Sequence, residues 1–377
     1  MFLQSNVFTA ERLIEGGVSL LIILNHIYIR RLSIMKKILR AGLIGIGAMG
    51  RGHLSNFVRF NEEGDLIKLV AVCDIDESRF GKKDGTLNIS GIDGGGFDFS
   101  RFSCYTDVDE MLEKEELDFV SIIIPTYLHH DIAIKCLDAG LHVFCEKPMA
   151  LTSSDCAEMI EAAKRNGRRL MIGQCLRFWG EYNVVKEYVE SGRFGRCTGG
   201  YFFRGGEPPK GSYNDWYMKR ELCGGAIRDQ HVHDVDIIQY IFGMPKAVHT
   251  VAQNIIEGSG YDNVSTNYVY DDLKTINAQN DWTIQGVGFD MCFRVNFEGG
   301  TIYMDREGFR VCSKGGEPFT PDYDKDSAYY KEIKYFAECI TEDKPNLINP
   351  PEDSMNTIRL VECEIKSADM GGAVVNV

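Results

Sequence analysis

The chain is short of several things, and each shortage excludes something. Its twelve cysteines include no C-x-x-C pair, so neither a disulfide framework nor a thiolate zinc knuckle is expected. Cys73, Cys145 and Cys175 stand in or beside apolar runs, where a free thiol behaves as a small hydrophobe. That usage suits a reducing compartment and a cytoplasmic location. Basic residues are outnumbered, 41 Lys and Arg against 55 Asp and Glu, for a net charge of −14. Nucleic acid and anionic membrane surfaces both call for a basic face, so neither is an expected partner. No apolar run reaches the roughly 20 residues that cross a bilayer. The longest candidate, residues 18–29, is broken by Asn25 and His26 and followed by Arg30 and Arg31. Glu11 and Glu15 precede it, where a signal peptide would be basic. Residues 1–34 therefore read as an N-terminal extension outside the fold, with a membrane anchor as the alternative. The fold is expected to begin near Met35.

What remains is long enough for two domains, each with its own core. From residue 39 onward, apolar runs alternate with helical periodicity. Strands are expected at 41–45, 66–73, 119–124, 141–145 and 170–175, with helices at 50–60, 108–114, 130–139 and 153–166. Such alternation predicts a parallel sheet with helices on both faces. Residues 81–101, with Gly91, Gly94, Gly95 and Gly96, break the rhythm and read as a loop insertion. Later β-rich runs at 199–204, 247–255, 289–295 and 300–305 suggest a largely antiparallel second sheet. Helices at 328–340 and 354–368 close the chain.

Three constellations carry chemistry. Gly45-Ile46-Gly47-Ala48-Met49-Gly50 follows a strand and opens a helix, the context in which such a loop holds a dinucleotide pyrophosphate. Asp74 ends the next strand, where its carboxylate can accept from ribose hydroxyls. Ile75 and Asp76 supply no cation for a 2′-phosphate, which favours NAD over NADP. A structural turn with an incidental aspartate is the alternative. Pro125-Thr126-Tyr127-Leu128-His129 and Glu146-Lys147-Pro148 each leave the carboxyl end of a strand, the edge where α/β sheets bind ligands. The Lys147 ammonium there could polarise a substrate oxygen, or it could be half of a solvated Glu-Lys pair. Asp229 and His233 are four apart on an expected helix start, so both can share one face. An Asp/His pair suits proton transfer; His231, His233, Asp229, Asp234 and Asp236 together could instead be read as a metal site. The reading adopted assigns no metal.

In combination these motifs resemble the glucose–fructose oxidoreductase / inositol dehydrogenase family, written Gfo/Idh/MocA. The resemblance runs from about Lys36 to the C-terminus and includes the P-T-x-x-H, E-K-P, G-Q-C-L-R-F (173–178) and D-x-x-x-H-D-x-D (229–236) stretches. It implies a Rossmann domain, here 35–150, joined to an α/β domain, here 151–377, with a large, mostly antiparallel open sheet that often mediates oligomerisation. A homo-oligomer, dimer or tetramer, is thus expected. It implies catalytic roles for Lys147, Asp229 and His233, and a cofactor pocket lined by Thr126, His129, Glu146 and Arg177 beside Pro125. Tyr329, in a Y-x-x-E stretch, would stand near the nicotinamide. His231 replaces the glycine of many members and could touch substrate, as could Trp216. Three functions are implied. The first is an NAD-dependent dehydrogenase of a sugar, polyol or cyclic alcohol. The others are an NAD-retaining glycosidase or epimerase with an internal redox cycle, and a non-catalytic NAD-binding regulator.

Overall fold

Leu39–Ile44 (β1) is buried at all but one position because strands lie parallel to it on both sides. The computed structural model describes residues 37–64, 66–81 and 96–377. The readings made for residues 1–34, and for most of the insertion at 81–101, lie outside the described residues. After β1 come α1 (Ala48–Glu63), β2 (Ile67–Cys73), β3 (Ser103–Tyr105), α2 (Val108–Lys114), β4 (Phe119–Ile122), α3 (His129–Asp138), β5 (His142–Glu146), α4 (Ser153–Arg165) and β6 (Leu170–Gly173). The six strands form one parallel sheet in the order β3-β2-β1-β4-β5-β6. Strand order reverses between β1 and β4, so the loops at their carboxyl ends part there and leave a crevice. The last strand, β6, lies beyond residue 150, where the domain junction was expected.

Capping explains several helix starts. Asp107 accepts from the Glu110 amide ahead of α2, and Thr152 accepts from the Asp155 amide ahead of α4. At the far end of α1, Gly64 takes the left-handed conformation and its N–H bonds to Phe60 O.

The second half contains α5 (Gly180–Ser191), β7 (Cys197–Gly205), α6 (Ala226–Asp229), α7 (Val232–Phe242), β8 (Ala247–Gln253), β9 (Asn263–Val269), β10 (Thr275–Asp281), β11 (Asp290–Phe297), β12 (Gly300–Asp305), β13 (Gly308–Ser313), α8 (Ala328–Thr341), α9 (Pro351–Asp369) and β14 (Val375–Asn376). Eight strands pair in the order β13-β12-β11-β7-β10-β9-β8-β14, antiparallel except where β7 meets β10. One face packs on the helices: Val264, Thr266 and Tyr268 of β9 are buried, while Asn267 and Val269 between and beyond them are exposed. Helices α7 and α9 cover that inner face. All twelve cysteines are free. Among the described residues, no helix is long and apolar enough to cross a membrane.

Candidate active site

The glycine loop is shaped by close approach. Gly45 has φ of +93°, and a Cβ there would lie 2.1 Å from Ile123 O; a Cβ on Gly50 would lie 2.1 Å from Gly45 O. Only hydrogen fits at either place. In front of Gly47 the space is open, with Arg79 Nη1 the nearest atom to an added Cβ at 3.9 Å. Gly47, Ala48 and Met49 are half-buried at the start of α1, whose unpaired N–H groups favour an anion. Asp74 closes the loop's far side: Ile46 N donates to its Oδ2 at 2.7 Å, and Asp76 N donates to Oδ1 at 3.0 Å. One expectation changes here. A cation does reach Asp74, because Arg79, on the turn that follows, brings Nε to 3.7 Å from Asp74 Oδ1 and 3.6 Å from Asp76 Oδ2. The loop and carboxylate fit a dinucleotide. Accordingly, Gly50→Ala is expected to raise the dissociation constant for NAD by at least roughly tenfold, or about 1.4 kcal/mol. Fluorescence titration with NADH checks this, and unchanged affinity would count against the loop as cradle.

At the carboxyl end of β5, the Lys147–Pro148 peptide is cis. Lys147 Nζ donates to Asp229 O at 2.8 Å and to Asp229 Oδ1 at 3.2 Å. The two side chains are 16% and 13% exposed, shielded enough for charge to matter yet open to a small molecule. Asp229 and His233 do not share one helix as expected. Asp229 ends the single turn α6, His233 lies in the first turn of α7, and Gln230 and His231 separate them. Asp229 therefore orients Lys147, not the imidazole. His233 is half-buried, and its pKa is drawn well below the ordinary histidine value, by burial first and then by the Lys147 and Arg204 charges. At neutral pH the imidazole is therefore uncharged.

Several expected site residues sit elsewhere. Arg177 does not line the cofactor crevice. Its side chain is fully buried, with both Nε and Nη2 2.8 Å from the Asp236 carboxylate. His231 is likewise no substrate contact: wholly buried, it lies 3.2 Å from Glu364 Oε2, whose other oxygen accepts from Tyr268 OH. Asp234 pairs with Arg204, so the three aspartates of the alternative metal cluster are each taken by a separate cation. His129 is also buried and acts through backbone, with Nδ1 2.8 Å from Pro148 O and Nε2 2.9 Å from Ile124 O. It ties the β4 loop to the β5 loop, beside half-buried Pro125 and buried Thr126. Burial pulls its pKa down against those two carbonyls. Glu146 is buried too, accepting from Lys147 N at 3.0 Å.

Trp216 is nearly buried and stacks on Tyr217 with centroids 4.0 Å apart, tilted against Tyr127 at 6.4 Å. Tyr217 is the more open of the pair. Burial, then Asp229, raises its pKa well above the ordinary value, so it remains a neutral phenol near the Lys147–Asp229 pair. Tyr329 meets His53 edge-on at 5.9 Å. Two residues of this region escaped the motif reading, Arg79 and His53. His53 is three residues after Gly50, one turn along α1, and that spacing was the available signal.

Comparison with known proteins bears on the family and the fold. Residues 39–174 match the family profile described as oxidoreductase family, NAD-binding Rossmann fold, and residues 182–303 match the GFO/IDH/MocA C-terminal domain. The chain is 31% identical to myo-inositol 2-dehydrogenase of Thermotoga maritima over 210 residues, 54% of this chain and 55% of that protein. It is 26% identical to 2,7-anhydro-N-acetylneuraminate hydratase of Escherichia coli K12 over 225 residues, 59% of this chain and 55% of that protein. The chain spans about half the length of the curated relatives it matches. In fold it resembles levoglucosan dehydrogenase solved with NADH and levoglucosan, with a TM-score of 0.75 at 20% identity, covering 90% of this chain and 100% of that one. The aldose-aldose oxidoreductase of Caulobacter crescentus gives a TM-score of 0.76 at 22% identity with the same coverage. Its two sheets, its glycine loop and both matched profiles show that the chain belongs to the Gfo/Idh/MocA family of NAD-binding oxidoreductases.

Proposed function

We propose that the protein is an NAD-dependent dehydrogenase of a sugar, polyol or cyclic alcohol. The observation that carries this is the Lys147 ammonium, held by Asp229 at the carboxyl end of β5 with an uncharged His233 close enough to feel its charge. Bound NAD supplies the hydride acceptor. Lys147 binds and polarises the substrate oxygen, and His233 takes its proton. Asp229 keeps Lys147 from swinging away, while Tyr217 and Trp216 form an apolar wall beside it. Asp74 would accept from the ribose hydroxyls of a bound cofactor, which favours NAD over NADP; the Arg79 charge is already opposed by Asp74 and Asp76. Twelve free cysteines suit the cytoplasm. The exposed side of the eight-stranded sheet, with Val251 and Val269, suits a second copy of the chain.

The relatives named inositol 2-dehydrogenase make myo-inositol the first substrate to try, followed by aldoses and anhydrosugars. With stoichiometric NAD, a lasting NADH absorbance band is the expected result. Product without lasting NADH would replace this reading with an internal redox cycle, which the similarity to a hydratase favours as the second possibility. Tight NAD binding with no product from any alcohol would leave a regulator.

A further inference from the structure

Behind the Lys147 loop lies a buried polar cluster that the proposed chemistry does not use. His53 of α1, Glu146 of β5 and Glu332 of α8 each place a nitrogen or oxygen within 4.8 Å of the others, and all three are buried. His53 Nε2 is 2.7 Å from Glu146 Oε1, while Glu146 Oε2 accepts from Lys147 N. Both Glu332 oxygens are buried with no hydrogen-bond partner in the protein. The fit is tight: a Cβ added at Gly173 would lie 3.0 Å from Glu146 Oε1. Tyr329, one turn before Glu332, packs its ring against His53, so the first and last residues of the Y-x-x-E stretch face this cluster.

We propose that Glu332 is a positioning residue, holding a proton against the Glu146 carboxylate and so fixing the strand end from which Lys147 projects. Two carboxylates this close and this buried cannot both be ionised unless a cation lies between them. Among the described residues, neither is ion-paired to a lysine or arginine, and His53 is the only basic side chain on Glu146. His129 and Tyr217 also feel the Glu146 charge, and burial keeps both neutral; the other titratable groups facing the pair are Tyr329 of α8, Cys175 just after β6, and Cys145 of β5. Burial raises the pKa of all three, so they stay neutral and supply no charge. Glu332 itself has its pKa raised well above the ordinary carboxylate value, by burial first and by Glu146 second. A span of up to 4.8 Å is closed by a rotamer change or a single bridging water. Glu146, its two oxygens turned to His53 and to the Lys147 amide, then has one orientation.

The role for Lys147 rests on the dehydrogenase reading, but the proton does not, and the tests separate the two. In the full chain, the infrared band of a protonated buried carboxyl is expected in wild type, retained in Glu146→Gln and absent in Glu332→Gln. A group whose folded pKa is raised stabilises fully below its unfolded value and loses that contribution as pH rises through the folded one. Glu332→Gln, neutral at every pH, should therefore melt increasingly above wild type as pH climbs from about 4.5 toward 8. Survival of the band in Glu332→Gln, melting curves that stay parallel across that range, or a stoichiometric divalent metal in the purified protein would overturn the proposal. On an accepted alcohol, Glu332→Gln should keep the wild-type kcat and Glu332→Ala should lose up to roughly 100-fold, the cost of misplacing a catalytic group by about 1 Å. A wild-type kcat in Glu332→Ala would remove the positioning role while leaving the dehydrogenase reading intact. Should wild type oxidise no alcohol, the dehydrogenase reading fails, and the infrared and melting results still decide the shared proton.

Discussion

His233→Ala is expected to lower kcat on an accepted alcohol by roughly 10²- to 10⁴-fold, the range for loss of a general base, with NAD affinity unchanged. The reason lies in where the residue sits. The imidazole is in the first turn of α7, separated from the glycine loop, and its Nδ1 is buried without a protein partner. Removing it takes away no element of the cofactor cradle. Lys147→Met should cost at least as much, because it removes the charge that polarises the oxygen and leaves Asp229 without its partner. The pH profile separates the two roles. Burial and the charges of Lys147 and Arg204 hold the His233 pKa well below the ordinary value of 6.5. The base form is thus present throughout the neutral range, and the acid limb of kcat/KM should fall below pH 6.5. Lys147→Met removes one of the cations opposing protonation, so that limb should move to higher pH in whatever activity remains. A limb that stays put would mean that the titrating group is not His233. Wild-type turnover in His233→Ala would end its assignment as base.

How far the sequence could reach is best seen in particular residues. The loop from Gly45 to Gly50 was legible because three glycines at fixed spacing answer to steric limits that no other residue meets. The parallel strands were legible for a similar reason: burial on both faces leaves near-continuous apolar runs such as Phe119–Ile122. Strand β10, by contrast, reads TINAQND. Its inward positions include Asn280, which donates to Gln230 at 2.8 Å instead of packing as an apolar side chain, so alternation was hidden. Asp229 lies on Lys147, yet the spacing of Asp229 and His233 suggested one helix where the chain makes two. Arg177 and His129 come to the site through the family resemblance, and His231 through its place where many members have glycine. Burial decided otherwise, and burial is a property of the assembled fold. Arg79 failed in the opposite sense: only the turn after β2 returns its guanidinium to Asp74.

Asp236→Ala should cost about 3–5 kcal/mol of stability, the usual penalty for stripping one partner from a buried ion pair. Arg177 holds Asp236 through two hydrogen bonds, both 2.8 Å, and also donates to Ile348 O at 2.9 Å and Asp353 Oδ2 at 2.8 Å. Thr357 of α9 adds a bond to Asp236 Oδ1 at 2.9 Å, and the guanidinium lies 4.7 Å from the Tyr240 ring centroid. The cluster therefore pins α7, which carries His233, to α9 and to the turn after β6. Burial opposes the Arg177 charge, but Asp236 and Asp353 outweigh it and raise its pKa overall; without Asp236 the guanidinium, intrinsically charged at any ordinary pH, is left buried with Asp353 as its remaining carboxylate. Paired replacement by apolar residues should behave differently: Arg177→Met with Asp236→Leu removes both charges and should recover much of what Asp236→Ala loses. Urea unfolding of wild type and the two variants measures this directly. A double variant no more stable than Asp236→Ala would show that packing rather than charge pairing sets the cost. The same proteins test the reassignment of Arg177 away from the crevice. Its side chain is fully buried on the Asp236 side, so the folded fraction of Asp236→Ala should bind NADH as wild type does. A large loss of NADH affinity with stability intact would return Arg177 to the cofactor wall.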